Sequence, residues 1–277
     1  MTQRHLALIG YGAIAADLIP ILYDQPEGGP ERLSLLVRQV RLAETQKAVS
    51  SQLGTKKVRL EVCSELDNLL AAQPDLVVEA AGHQAVASYG AEILKQGCDF
   101  LIASVGALAD ADLLQQLTKA ARDGGAQLIV PAGAIGGIDA LGAARLSGLV
   151  SVRYIGRKPP LAWAGTAAGS AAELAGLTEA QQIFSGSARE AARQFPKNAN
   201  VAATLALAGM GMEETRVSLI ADPSVSENSH EFEVESAALS FSVKLVGKPS
   251  PANPKTSRST VFSIARAVLA REQAMVI

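Results

Sequence analysis

Six short apolar runs in the first half of the chain, HLALIG, LSLLV, VRLEV, DLVVEAAG, DFLIASVGA and AQLIVPAGA, are for the most part separated by stretches with helical patterning. Strands that are apolar without alternation are buried on both faces, and intervening helices supply the cover. The alternation therefore predicts an α/β fold in which an N-terminal Rossmann-type, doubly wound parallel sheet carries helices on both sides.

The turn after the first run narrows this further. In LALIGYGAIAADLI, Gly10 and Gly12 follow a strand and open a helix, the context in which a glycine loop binds a dinucleotide. Gly10 permits the tight turn. Gly12 lets backbone N–H groups approach a pyrophosphate at the helix N-terminus, where Ala13 and Ile14 begin the helix. Ala15 replaces the third glycine, a substitution the fingerprint allows. The second strand ends in Arg38 where an acidic residue would hold a ribose 2′-hydroxyl. Arg38 is either a solvated surface charge or a partner for a 2′-phosphate, which leaves both NAD and NADP open as cofactors. Ligands of such sheets lie over the carboxyl ends of the strands, so Ala81, Gly82, His83, Ser104, Val105 and Gly106 are expected to line the nicotinamide half of the site. His83 is also placed to cap a helix.

Beyond about residue 148 the pattern changes to strand alternation, as in Leu239, Phe241, Val243 and Leu245 against Ser240, Ser242 and Lys244. This predicts a second, α+β domain on a mixed or antiparallel sheet. Ser187 with Glu190 three residues on is a capping-box pattern within SAREAARQF. In the tail, Val261, Ile264, Ala265, Val268 and Leu269 form one helical stripe, with Ser257 or Thr256 as its cap, and that helix is expected to pack back on the first domain. The expected division is a dinucleotide-binding domain over 1–133, a substrate domain over 134–250, and a returning C-terminal segment over 251–277.

The chain has three histidines. His5 heads the first strand, away from the carboxyl ends, and is read as structural. His230, in SVSENSHEFEVES, shares a strand face with Phe232 and Val234, so it is either a packed core residue or a chemical group in an apolar setting. Nearby segments carry polar groups that a core does not need: Lys197, Asn198 and Asn200 in one, and Asn253, Lys255, Thr256 and Ser257 in another. Each suits a helix cap, and each also suits an anion such as a carboxylate.

Taken together, GYGAIA, AAGHQAV, SVGALAD, PAGAIGGIDAL, GRKPPLAW, GSAREAARQFPKNANVAATLALAG, VSLIADPSVSENSHEFEVES and NPKTS resemble the L-aspartate dehydrogenase family over almost the whole chain. The resemblance implies NAD(P)-dependent oxidative deamination of L-aspartate to oxaloacetate and ammonia through iminoaspartate, a compound that can supply NAD biosynthesis. It implies a homodimer, His230 as the catalytic histidine, and nucleotide contacts at Ala134 and Asn200. The two substrate carboxylates are then expected among Lys197, Asn198, Lys255, Thr256 and Ser257. Two alternatives remain: a related reductase of the dihydrodipicolinate reductase or homoserine dehydrogenase type, and a dinucleotide sensor without turnover.

Charge and cysteine content narrow the partners. Lys and Arg number 25 against 27 Asp and Glu, so no basic excess exists to hold a nucleic acid. Cys63 and Cys98 form neither a metal-binding spacing nor a disulfide framework, and no metal is expected. The N-terminal apolar run is too short for a signal sequence and no run approaches about 18 residues, so a cytoplasmic protein without a membrane span is expected.

Overall fold

A computed structural model describes residues 5–26, 28–196, 198–248, 257–271, 273 and 275. The chain divides into two compact units, Met1–Pro131 together with Val261–Ile277, and Ala132–Thr260.

The first unit holds strands β1 (His5–Ile9), β2 (Arg32–Leu36), β3 (Arg59–Cys63), β4 (Leu76–Glu79), β5 (Asp99–Ile102) and β6 (Leu128–Ile129). Between them run helices α1 (Ala13–Tyr23), α2 (Leu42–Leu53), α3 (Leu66–Ala71), α4 (His83–Lys95) and α5 (Ala111–Gly124). The sheet order is β3-β2-β1-β4-β5-β6 with every pairing parallel. This is the doubly wound sheet expected from the apolar runs, with every residue of β1 and β4 buried. The switch in strand order falls between β1 and its neighbours, which places the glycine loop after β1 at the ligand-binding point of such sheets.

His5 is structural, as its position suggested. Its Nδ1–H donates to the Ala72 carbonyl at 3.0 Å and its Nε2 meets the Ser34 hydroxyl at 2.7 Å. Burial, followed by the nearby Arg32 charge, keeps the ring below the ordinary histidine range.

The second unit contains α6 (Ile138–Ser147), β7 (Leu149–Lys158), α7 (Ala171–Ala175), β8 (Gln181–Ser187), α8 (Ala188–Gln194), α9 (Asn200–Ala208), β9 (Arg216–Ala221), β10 (Asn228–Ser236) and β11 (Ser240–Gly247). Its sheet runs β11-β10-β7-β9-β8, mixed because β7 and β9 are parallel while the other pairs are antiparallel. The expected capping box is present: the Glu190 amide donates to the Ser187 hydroxyl, and the Ser187 amide donates to the Glu190 carboxylate.

The final helix, α10 (Arg258–Leu269), buries Val261, Ile264, Ala265 and Val268 in the cluster that holds Leu6, Leu8, Leu18 and Leu33 of the first unit. A helix with only one apolar stripe gains most of its stability from such packing. Among the described residues, no helix is long and apolar enough to cross a membrane. Truncating Ile264, which is fully buried, to alanine is expected to cost about 2–5 kcal/mol of unfolding free energy, read as a lower urea midpoint.

Candidate active site

A cavity of about 520 Å³ opens at the carboxyl end of β1 and β2. Gly10, Gly12, Arg38 and Ala81 line it, with Arg41, Thr45, Ser64, Gln84, Ser88 and Tyr89. Gly10 has φ +89° and an added Cβ would stand 2.8 Å from the Ala81 Cβ, so only glycine suits that turn. Gly12 faces open space, with no heavy atom within 4 Å of an added Cβ, and as the N-cap of α1 it brings no side chain to the first N–H groups. That leaves the helix end available to an anion. Thr45 Oγ1 is buried without a partner, and no carboxylate is among the lining residues. The residues therefore fit the pyrophosphate and adenosine portions of a dinucleotide. Ala15 is fully buried in the hydrophobic cluster, so its methyl points into packing rather than into the cavity.

The ends of β4 and β5 are arranged differently from the expectation. Glu79, completely buried, accepts from the amides of Ala81 at 2.7 Å and Gly82 at 2.6 Å, and from the amide and hydroxyl of Ser104 at 3.0 Å each. One carboxylate thus ties the two strand ends together and engages N–H groups that were expected to face a ligand. Val105 and Gly106 are buried in the short 3-10 turn Val105–Ala109. His83 is the first residue of α4, behind Gly82 as N-cap. None of Ala13, Ile14, Gly82, His83, Ser104, Val105 and Gly106 lines the cavity.

In the second unit, one sheet face changes from apolar to polar along its length. On β7 the buried face runs Val152, Tyr154, Gly156 and Lys158. Across the antiparallel pairing with β10, Val234 lies opposite Val152, Phe232 opposite Tyr154 and His230 opposite Gly156. His230 is 4% exposed, so strand parity did place it on the packed face. It nevertheless lies where that face stops being hydrocarbon.

Gly156 shapes this end. With no side chain there, Tyr154 extends along the strand until its hydroxyl shares a 2.7 Å hydrogen bond with His230 Nδ1, and the two rings stack at 6.1 Å with 14° between their planes. A Cβ at Gly156 would lie 2.7 Å from that hydroxyl. Burial holds the Tyr154 phenol above its ordinary range, so it stays protonated. With Nδ1 engaged, Nε2 is the nitrogen of His230 left for chemistry. Burial first, and then the Lys158 charge, lower His230 to about 4, so its resting form is the neutral imidazole.

Lys158 was not singled out from the sequence. Lys158 is 6% exposed, and its ammonium donates to Asn198 Oδ1 at 2.6 Å and stands 4.9 Å from the centre of the Trp163 ring. Burial lowers it to about 8. The only clue available to pattern reading was a charged residue ending the buried side of an alternating strand. Among the expected substrate contacts, Asn198 is thus brought to Lys158. Ser257 packs against Gly247, the β11 residue paired with Asn228, where its hydroxyl meets that of Ser259 at 2.8 Å. Ser257 therefore lies at the same end of the sheet as His230. Ala134 lies in the loop before α6 and Asn200 opens α9, both in the second unit. Lys197, Lys255 and Thr256 lie outside the described residues.

Residues 139–271 match the family model described as aspartate dehydrogenase, C-terminal, and residues 10–131 match that described as homoserine dehydrogenase, NAD binding domain. The chain is 47% identical over 272 residues to an L-aspartate dehydrogenase of Polaromonas sp. (strain JS666), covering 98% of this chain and 99% of the relative. It is 46% identical over 264 residues to an L-aspartate dehydrogenase of Pseudomonas aeruginosa, covering 95% and 96%. Among solved structures, an aspartate dehydrogenase from Thermotoga maritima matches with a TM-score of 0.76 at 26% identity, covering 99% of each chain.

The histidine environment has a consequence for stability. An unfolded histidine titrates near 6.5, whereas folded His230 titrates near 4, so between these values unfolding takes up a proton. This contribution is complete above about pH 6.5 and is lost as pH falls toward 4. Urea unfolding across that range is expected to show declining stability in the wild type and a shallower decline in His230→Asn, with His5 retaining part of the slope.

Proposed function

The chain belongs to the L-aspartate dehydrogenase family, and we propose that it oxidises L-aspartate through iminoaspartate to oxaloacetate and ammonia, with His230 as the acid and base. NAD or NADP, when bound, supplies the hydride acceptor. Gly10, Gly12 and the N-terminus of α1 would hold its pyrophosphate, with Arg38 and Arg41 toward the adenosine end.

The observation that carries this reading is the neutral, buried imidazole of His230, hydrogen-bonded through Nδ1 to Tyr154 and close to a cation. L-Aspartate carries a protonated amine, and hydride can leave Cα only when the nitrogen lone pair is free to form the C=N bond. His230 takes that proton in the tautomer whose Nδ1–H donates to the Tyr154 oxygen, which leaves the lone pair on Nε2. Once the iminium has formed, His230 gives that proton up to solvent, so Nε2 is free to accept a proton from the water that adds to the imine carbon and to return it to nitrogen as ammonia departs. Tyr154 holds the ring in one orientation throughout. Asn198 and Ser257, with Lys197, Lys255 and Thr256, remain the donors assigned to the substrate carboxylates.

Iminoaspartate released before hydration is the species that NAD biosynthesis would draw on. Family resemblance supports a cytoplasmic homodimer that acts on small molecules rather than nucleic acid. A dinucleotide sensor without turnover would not require a neutral histidine beside a buried lysine, and a dihydrodipicolinate reductase-like enzyme would call for an adjacent pair of histidines, which the sequence lacks.

Incubating the protein with dinucleotide and a panel of amino acids is expected to show reduction of the nicotinamide with L-aspartate. His230→Ala should lower kcat roughly 10²–10⁴-fold while dinucleotide affinity is kept. Turnover close to wild type in that variant would remove His230 from the mechanism. Arg38 lines a cavity without carboxylates, so Arg38→Ala is expected to raise KM for NADP roughly tenfold and KM for NAD little. Equal effects on both would make Arg38 a solvated surface charge.

A further inference from the structure

The second unit buries an ammonium for which the fold provides no carboxylate. Among the described residues, no Asp or Glu lies within ion-pair distance of Lys158 Nζ, although its neighbour Arg157 is paired with Asp222 at 2.5 Å. Asp222 is fully engaged where it stands. Its Oδ2 accepts from Arg157, and its Oδ1 accepts from the amide of Ser224 at 2.8 Å and the hydroxyl at 2.6 Å. Arg157 and Lys158 are consecutive on a strand and point to opposite faces, so the carboxylate that serves one is turned away from the other.

What does hold Lys158 is uncharged. Asn198 accepts one of its three N–H groups, and the Trp163 ring offers its π face. That ring is itself fixed, since Trp163 Nε1–H donates to the Ile220 carbonyl at 3.1 Å and Phe195 packs edge-on against it at 5.9 Å. The ammonium is therefore positioned without being neutralised, and donors remain for an anion. Its diagonal neighbour across the strand pair is His230, since Gly156 lies opposite His230 and Lys158 is two residues further along the same face, roughly 7–8 Å away by sheet geometry. A group bound to Lys158 is thus within the span of a four-carbon substrate whose amine meets His230.

We propose that Lys158 anchors one carboxylate of the substrate, so that a dicarboxylate ligand supplies the counter-ion the fold leaves out. The proposal rests on L-aspartate being the substrate, and it adds to the expected contacts the one cation that is described and buried beside the catalytic histidine. An anion here also offsets the Lys158 charge, the second of the two causes that hold His230 low, so substrate binding itself strengthens the base.

The test uses the full chain. Lys158→Met is expected to raise KM for L-aspartate roughly 10–100-fold, the loss of one charge-assisted contact, with dinucleotide affinity within about twofold of wild type. Asn198→Asp places a carboxylate against Lys158 from within the protein. It should compete with the substrate and raise KM roughly tenfold in a variant that keeps its fold. Trp163 is the single tryptophan of the chain and touches Lys158, so its fluorescence should respond saturably to succinate in the wild type and not in Lys158→Met. An unchanged KM in Lys158→Met, weakened dinucleotide binding in place of weakened aspartate binding, or a succinate response that survives the substitution would each overturn the proposal. If L-aspartate is not turned over by the wild type, the substrate assignment fails, and the succinate titration still decides whether Lys158 holds a carboxylate.

Discussion

An ammonium buried with no carboxylate beside it among the described residues governs the polar end of the second sheet. Taking a charge out of water is costly unless a partner of opposite sign or a full set of hydrogen bonds accompanies it. Among the described residues, Asn198 and the Trp163 face are what meets the Lys158 ammonium, and the ring is fixed by its hydrogen bond to the Ile220 carbonyl. The unbalanced charge then acts on His230, which burial has already made neutral. The two side chains form one electrostatic unit, which under the proposed function would receive the anionic substrate.

The geometry of that unit depends on a missing side chain. Gly156 opens the channel along β7 through which Tyr154 reaches His230, and the register of β7 with β10 puts the imidazole directly opposite that gap. A one-residue slip would move His230 to the other face, where Glu231 and Glu233 now lie. The core residues Val152, Phe232 and Val234 on the same face hold the register, so the hydrophobic packing of one end positions the chemistry of the other.

The first unit solves a different problem with the opposite charge. Glu79 is a buried carboxylate whose hydrogen bonds come from the strand ends around it, and it converts loose N–H groups at β4 and β5 into a fixed rim. The glycine loop beside it keeps its N–H groups uncovered by any side chain. The two loops look alike as small-residue turns after strands. One is internally satisfied and the other is left for a ligand.

Local patterns made much of this protein legible. The apolar runs and alternation specified both sheets, the glycine loop located the dinucleotide end, and Ser187 with Glu190 marked a helix start, because each depends on residues within one turn or one strand. Parity also placed His230 on the packed face, while its proposed catalytic role came from resemblance of longer segments. The roles of Lys158, Gly156 and Glu79 were invisible. Tyr154 and His230 are 76 positions apart, Lys158 and Asn198 40, and Glu79 and Ser104 25. Sequence alone determined which elements form and which of their faces are buried. Only the tertiary structure decided which polar groups those faces bring together, because strand register and burial set the partners and charge state of each.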